Sequence, residues 1–188
     1  MIPSVEEALA LHAKYGSSEH IVSHCEAVAM AAEIIADELE RKGVVVDKKA
    51  VIAAALLHDI GRSRTQTVAH GFDGAKMLEK EGVDKKVVEI VRRHVGAGIS
   101  ADEVRKLKLP DFDYMPRTYE QRIVCFADKM VDADTIRPFG EEVRRFTVKS
   151  HDVGRLLALK QGLANDLGRD PEALIFEKIK ESETKARQ

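Results

Sequence analysis

The amino-acid sequence predicts an all-α protein. Three observations carry that expectation. Cap residues followed three positions later by an acid or amide recur at Ser4–Glu7, Ser100–Glu103 and Thr118–Gln121, the reciprocal pairing that satisfies free N–H groups at a helix start. Apolar residues recur at spacings of three and four. No stretch shows the alternation of a half-buried strand, and there is no internal repeat or low-complexity block. The 188 residues suffice for one domain with a proper core.

Each element follows from local signals. Ser4 caps a short helix that stops at Gly16, a residue suited to the left-handed stop. Ser18 caps a second helix running to Gly43, with the stripe Ile21, Val28, Ala31, Ile35 and Leu39. His24 falls three after Ile21 and four before Val28, so it lies on that stripe and faces inward. Asp47 caps a third helix, Lys48 to about Asp59, ended by Gly61. It is apolar nearly all round, which marks it as the central buried one. Arg62 to Ala69 is expected to be a polar loop. His70 to Glu81 reads as a short helix closed by Gly82, and Asp84 caps the next, with the stripe Val87, Ile90, Val91, His94.

Ser100 opens a brief helix that Pro110 terminates. The helix begun at Thr118 carries Val124, Asp128 and Val131 on one face, so Asp128 is a carboxylate on an apolar side. A charged helix from Glu141 to Lys149 and an amphipathic one from His151 to Leu167 follow. Asp170-Pro171-Glu172 opens a last helix, which frays into a polar tail.

Composition excludes several classes. A formal net charge of −2 and a pI near 6.4 give no global pull toward nucleic acid or an anionic membrane. Two isolated cysteines, Cys25 and Cys125, imply no disulfide framework and fit a reducing cytoplasm. The longest apolar run is far short of the ~20 residues of a membrane span. The N-terminus has early acids and no long apolar core, unlike a signal peptide. With no Trp and 5% aromatics, base-stacking platforms for nucleic acid are not expected.

The chemistry centres on Ala50 to Gly61. Eight apolar residues run straight into His58 and Asp59. Burying either group unpaired costs several kcal/mol, so each needs a hydrogen-bond partner or a metal. Four helices place a metal-ligand type on their apolar side: His24, the His58-Asp59 pair, His94 and Asp128. His70 opens a fifth. Mutual coordination of a divalent metal satisfies all of them at once. Imidazole ligands favour Fe, Mn, Co, Ni or Zn over Mg. His12, His20 and His151 fit no pattern and read as surface or packing residues. Cys25 points about 100° away from His24 around its helix and reads as a core thiol.

His24, the doublet within His-Asp-Ile-Gly, and Asp128 resemble the HD superfamily of metal-dependent phosphohydrolases, over about Ser18 to Asp134. The resemblance implies one helical-bundle HD-domain fold over residues 1–188, with a core of about 18–134 and a helical extension at 138–183. It implies His24, His58, Asp59 and Asp128 around one metal, with Asp59, His58 and Asp128 as the catalytic set. His-x-x-x-Gly-Ala (His70 to Ala75) and Arg-Arg-His (Arg92 to His94) resemble the extra histidines of two-metal members. They imply His70 and His94 around a second ion bridged by Asp59. The implied reaction is attack of a metal-activated water on a phosphomonoester or phosphodiester, with a nucleotide first among substrates. Candidate phosphate-binding residues are Arg62 and Lys129, adjoining ligands, then Arg93 and Arg64; an Arg fork matches phosphate.

Two alternatives share the pattern: a di-iron oxygenase of HD type, and a non-catalytic module that senses a nucleotide. The latter ranks last because none of the four core ligands is missing. The helices after Asp134 are expected to cover the site or make a homodimer; Arg144, Arg145 and Lys149 on the first of them could reach a substrate phosphate, with a solvated face the first expectation.

Overall fold

A computed structural model describes residues 1–149 and 151–186. The end of the expected polar tail, residues 187–188, lies outside them. Among the described residues the chain forms ten α-helices and one small hairpin: α1 (Val5–Tyr15), α2 (Glu19–Arg41), α3 (Lys48–Leu57), α4 (His70–Lys80), α5 (Lys85–Arg93), α6 (Ala101–Lys106), α7 (Tyr119–Lys129), β1 (Val131–Asp132), β2 (Thr135–Ile136), α8 (Phe139–Val148), α9 (Val153–Leu167) and α10 (Pro171–Ala186). All three capping boxes are present, and Asp47 and Asp84 accept from helix N–H groups as N-caps.

Helix α3 is the centre of the bundle and packs against α1, α2, α5 and α7. Its run of Ala50, Ala53, Ala54 and Ala55 is buried. Small side chains let neighbouring backbones approach closely, so a ten-residue helix can touch four others. Helices α9 and α10 lie on α2, and α9 also on α7, burying Leu156, Leu163, Leu167 and Leu174 fully.

Three local features differ from expectation. Gly61 does not end α3. The helix gives way after Leu57, and a 3-10 turn over Ile60–Ser63 carries the chain onward. Gly61 is there for close approach: a Cβ at this position would lie 2.0 Å from the His70 carbonyl oxygen and 2.7 Å from the Gly74 nitrogen. That contact seats the turn against the start of α4 and brings His70 beside the His58-Asp59 pair.

The second difference is the hairpin, where no strand was expected. Val131 pairs with Ile136 and Asp132 with Thr135, and Ala133 at the bend has φ 57°. Two residues per strand are too few to show alternation. Third, α6 stops at Lys106, ahead of Pro110, where Lys108 takes a left-handed φ of 54°.

Candidate metal centre

Each of the four inward histidines is anchored from behind by a main-chain carbonyl. His58 Nδ1 donates to Ala55 O, His70 Nδ1 to Thr67 O, His94 Nδ1 to Val91 O and His24 Nδ1 to Ala133 O, all at 2.7 Å. A carbonyl oxygen only accepts, so Nδ1 carries the hydrogen and Nε2 is the atom offered inward. Three of these bonds reach back three residues at a helix terminus. The fourth spans to the hairpin bend, which is what β1 and β2 contribute to the site.

The inward atoms converge on two carboxylates. His24 Nε2 lies 3.2 Å from Asp128 Oδ1 and 4.0 Å from Asp59 Oδ2. His58 Nε2 lies 3.6 Å from Asp128 Oδ1 and 3.9 Å from Asp59 Oδ2. The other oxygen of Asp59, Oδ1, faces His70 Nε2 at 3.1 Å and His94 Nε2 at 3.4 Å. Asp59 therefore stands between two groups of nitrogens, one oxygen toward each.

His70 Nε2 and His94 Nε2 are 3.0 Å apart. Two ring nitrogens that both point their lone pairs inward repel at that distance unless a proton or cation joins them. His58 Nε2 and Asp59 Oδ1 are buried without a hydrogen-bond partner. Such orphans are rare in folded proteins and call for a specific explanation, an ion among them. Three triads, His24-His58-Asp59, His58-His94-Asp128 and Asp59-His70-His94, could each hold a metal ion.

The electrostatics are those of a mutually charged cluster. Burial would lower His58 and His24, but Cys25, Asp59 and Asp128 raise His58 well above the usual imidazole range, and Asp128 with Asp59 raises His24. Burial alone would raise the carboxyls of Asp59 and Asp128. The imidazoles of His58, His70 and His94 instead hold Asp59 well below the usual carboxylate range, and Lys129 with His24 and His58 does the same for Asp128. Burial pushes His94 down to about 4, so it is neutral, the form that binds a metal.

The candidate cations near the cluster part ways. Arg62 Nε bonds Asp59 Oδ2 and Lys129 Nζ bonds Asp128 Oδ2, each at 2.5 Å. Both line a cavity of about 330 Å³ that opens beside the cluster. Arg93 and Arg64 do not line it. Arg93 adjoins His94 in sequence, but one residue is a 100° turn around a helix, and its head bonds Glu89. Arg64 sits over the Tyr15 ring.

Arg145 and Lys149 are exposed, as expected of a solvated face, and both also line the cavity, as does Arg155 of α9. Arg155 forks onto both oxygens of Glu103 at 2.7 Å, tying α9 to α6. Nothing in the helical periodicity of α8 or α9 marks these positions, since their placement depends on how α8 and α9 pack on the bundle.

His12 is buried. Its Nε2 donates to Leu56 O at 2.7 Å and its Nδ1 accepts from Ser17 Oγ at 2.8 Å, so it closes one of the last carbonyls of α3. Cys25 is buried beside His12 and His58. His20 is exposed, and His151 stacks edge-on against Phe146.

Residues 21–131 match the HD domain, and the chain belongs to the HD-domain family. HD domains bind divalent metals. Among curated relatives, the chain is 37% identical over 90% of its length to proteins of Picrophilus torridus and Thermoplasma volcanium, each named tRNA (cytidine(56)-2'-O)-methyltransferase. It spans about half of those relatives, 49% of each. It is 38% identical over 79% of its length to an uncharacterized protein of Methanocaldococcus jannaschii, covering 90% of that protein. The crystal structure of the HD domain of L. monocytogenes phosphodiesterase PgpH superimposes with a TM-score of 0.55 over 95% of this chain and 99% of that one, at 18% identity. That likeness shows the fold. Among the described residues no helix is long and apolar enough to cross a membrane.

Proposed function

We propose that this chain is a metal-dependent phosphohydrolase acting on a phosphomonoester or phosphodiester of a nucleotide. His24, His58, Asp59 and Asp128 would hold one divalent transition metal ion (Fe, Mn, Co, Ni or Zn). His70 and His94 would hold a second, shared through Asp59. The observation that carries this reading is the set of four carbonyl-anchored imidazoles whose Nε2 atoms converge on Asp59 and Asp128, with a buried nitrogen and a buried oxygen left unpartnered. When bound, such an ion polarises a phosphoryl oxygen and lowers the pKa of water from 15.7 toward ~7.

The chain's own residues do the rest. Asp59 and Asp128 keep negative charge at the centre, and the histidines fix its shape. Arg62 and Lys129 stand at the cavity edge, each using one donor on a cluster carboxylate and keeping others for phosphate oxygens. The reading takes residues 138–183 as an extension of one HD-domain fold with its core at about 18–134, working in the cytoplasm. The relatives named as tRNA methyltransferases favour a second reading of the substrate: a phosphate ester of tRNA or of a nucleotide released from it.

The test is turnover of p-nitrophenyl phosphate and bis(p-nitrophenyl) phosphate by chelator-stripped protein, alone and with each of the five metals. Release of p-nitrophenol that requires added metal supports the proposal. Equal release without metal, or none with any, overturns it. No p-nitrophenol release with any metal, together with O₂ consumption by the iron-loaded protein, would favour the oxygenase alternative.

A further inference from the structure

The cavity wall carries five cations: Arg62, Lys129, Arg145, Lys149 and Arg155. Four are held by carboxylates. Arg62 is on Asp59 and Lys129 on Asp128. Arg155 spends both fork nitrogens on Glu103. Arg145 pairs with Asp132 through one nitrogen, while its other terminal nitrogen lies 3.5 Å from Glu142, a loose contact. Lys149 has no ion pair among the described residues and is exposed. The uncompensated charge of the cavity is therefore at the end of α8, contributed by residues outside the 21–131 match.

We propose that Lys149, with the free donors of Arg145, holds a second anionic group of the substrate. The substrate class is then a nucleotide carrying two separated phosphates. The inference rests on the phosphohydrolase reading, which assigns the first phosphate to the histidine–aspartate cluster. Three further observations support it. The cavity, at about 330 Å³, falls within the ~300–1,000 Å³ of small-molecule sites. Its lining includes Ile99, Leu107 and Phe146 beside the charges, which suits a ligand with an apolar body as well as anionic ends. Asp132 and Glu142 hold Arg145 in place before any ligand arrives, which lowers the entropy lost on binding. Arg155, with its fork fully used, braces α9 and does not contact the ligand.

The experiment is calorimetric binding of adenosine 3',5'-bisphosphate, adenosine 3'-monophosphate and adenosine 5'-monophosphate to the metal-loaded full chain, with turnover followed in the same samples. Lys149→Ala is the main variant because the side chain is exposed and unpaired, so its loss leaves the fold intact. Lys149→Glu reverses the charge. Wild type is expected to bind the bisphosphate at least tenfold more tightly than either monophosphate. The ratio should fall toward one in Lys149→Ala and below one in Lys149→Glu. Equal affinities in wild type, no binding of any of the three, or an unchanged ratio in both variants overturns the inference. Hydrolysis with an unchanged ratio would overturn it and leave the phosphohydrolase reading standing. A collapsed ratio without hydrolysis would support the second anion site and count against turnover of these three nucleotides only.

Discussion

Asp59 is the residue on which the centre turns, because one of its oxygens faces His24 and His58 and the other faces His70 and His94. Asp59→Ala is expected to remove bound metal and metal-dependent turnover while the helical circular-dichroism signal stays. Normal metal content in that variant would contradict the assignment. His12 acts differently, through Leu56 O at the end of α3. His12→Phe leaves that buried carbonyl unpaired, which costs about 1–3 kcal/mol. A urea titration should detect the loss, with metal content unchanged.

At this scale the inward set was legible in the sequence. A polar residue at helical spacing within an apolar stripe can only face the core, as with His24 and Asp128. The anchors were not legible, because they are main-chain carbonyls whose positions depend on where turns fall. Adjacency to a ligand does not put Arg93 at the cavity, because the helical twist carries its head to Glu89, whereas Lys129, at the end of α7, lines the cavity.

Among the elements, the contact between the 3-10 turn and α4 is the tightest constraint. Gly61→Ala would drive a methyl into the His70 carbonyl, backbone that cannot yield without moving the site. A loss at or above the upper end of the ~1–3 kcal/mol usual for overpacking is expected, with weaker binding of the second metal. A urea midpoint equal to wild type would contradict this. The α6–α9 link gives a pH signature. The guanidinium of Arg155 beside Glu103 holds its carboxyl at about 2, against ~4.3 for a free glutamate. The folded value is depressed, so the stabilisation is present above ~4.3 and is lost as pH falls toward 2. The pair is partly exposed, so its worth is within the ~0–1 kcal/mol of surface bridges. Glu103→Gln should lower Tm at neutral pH slightly and flatten the fall between about pH 4.5 and 2.5. An identical acid profile in wild type and variant would contradict the link. Helix caps announced most elements in the sequence. The hairpin did not announce itself, since its two-residue strands and the Ala133 bend leave no periodic trace.

For the whole molecule, the bundle and its central helix followed from composition and period, because a helix apolar on every side must be surrounded. The wall of the cavity did not follow. It is set by the packing of α8 and α9 on the helices that carry the cluster, and neither helix's own pattern encodes that. The central claim is that six side chains from five stretches of the chain form one site for two metal ions. It is tested most directly by elemental analysis of metal per chain, on protein purified anaerobically and again after chelation and reconstitution with Mn, Fe, Co, Ni or Zn. The account predicts two ions per chain in the wild type and one in a His70→Ala/His94→Ala variant that remains folded. No bound metal under any of these conditions would contradict it and leave the cluster as a hydrogen-bonded core.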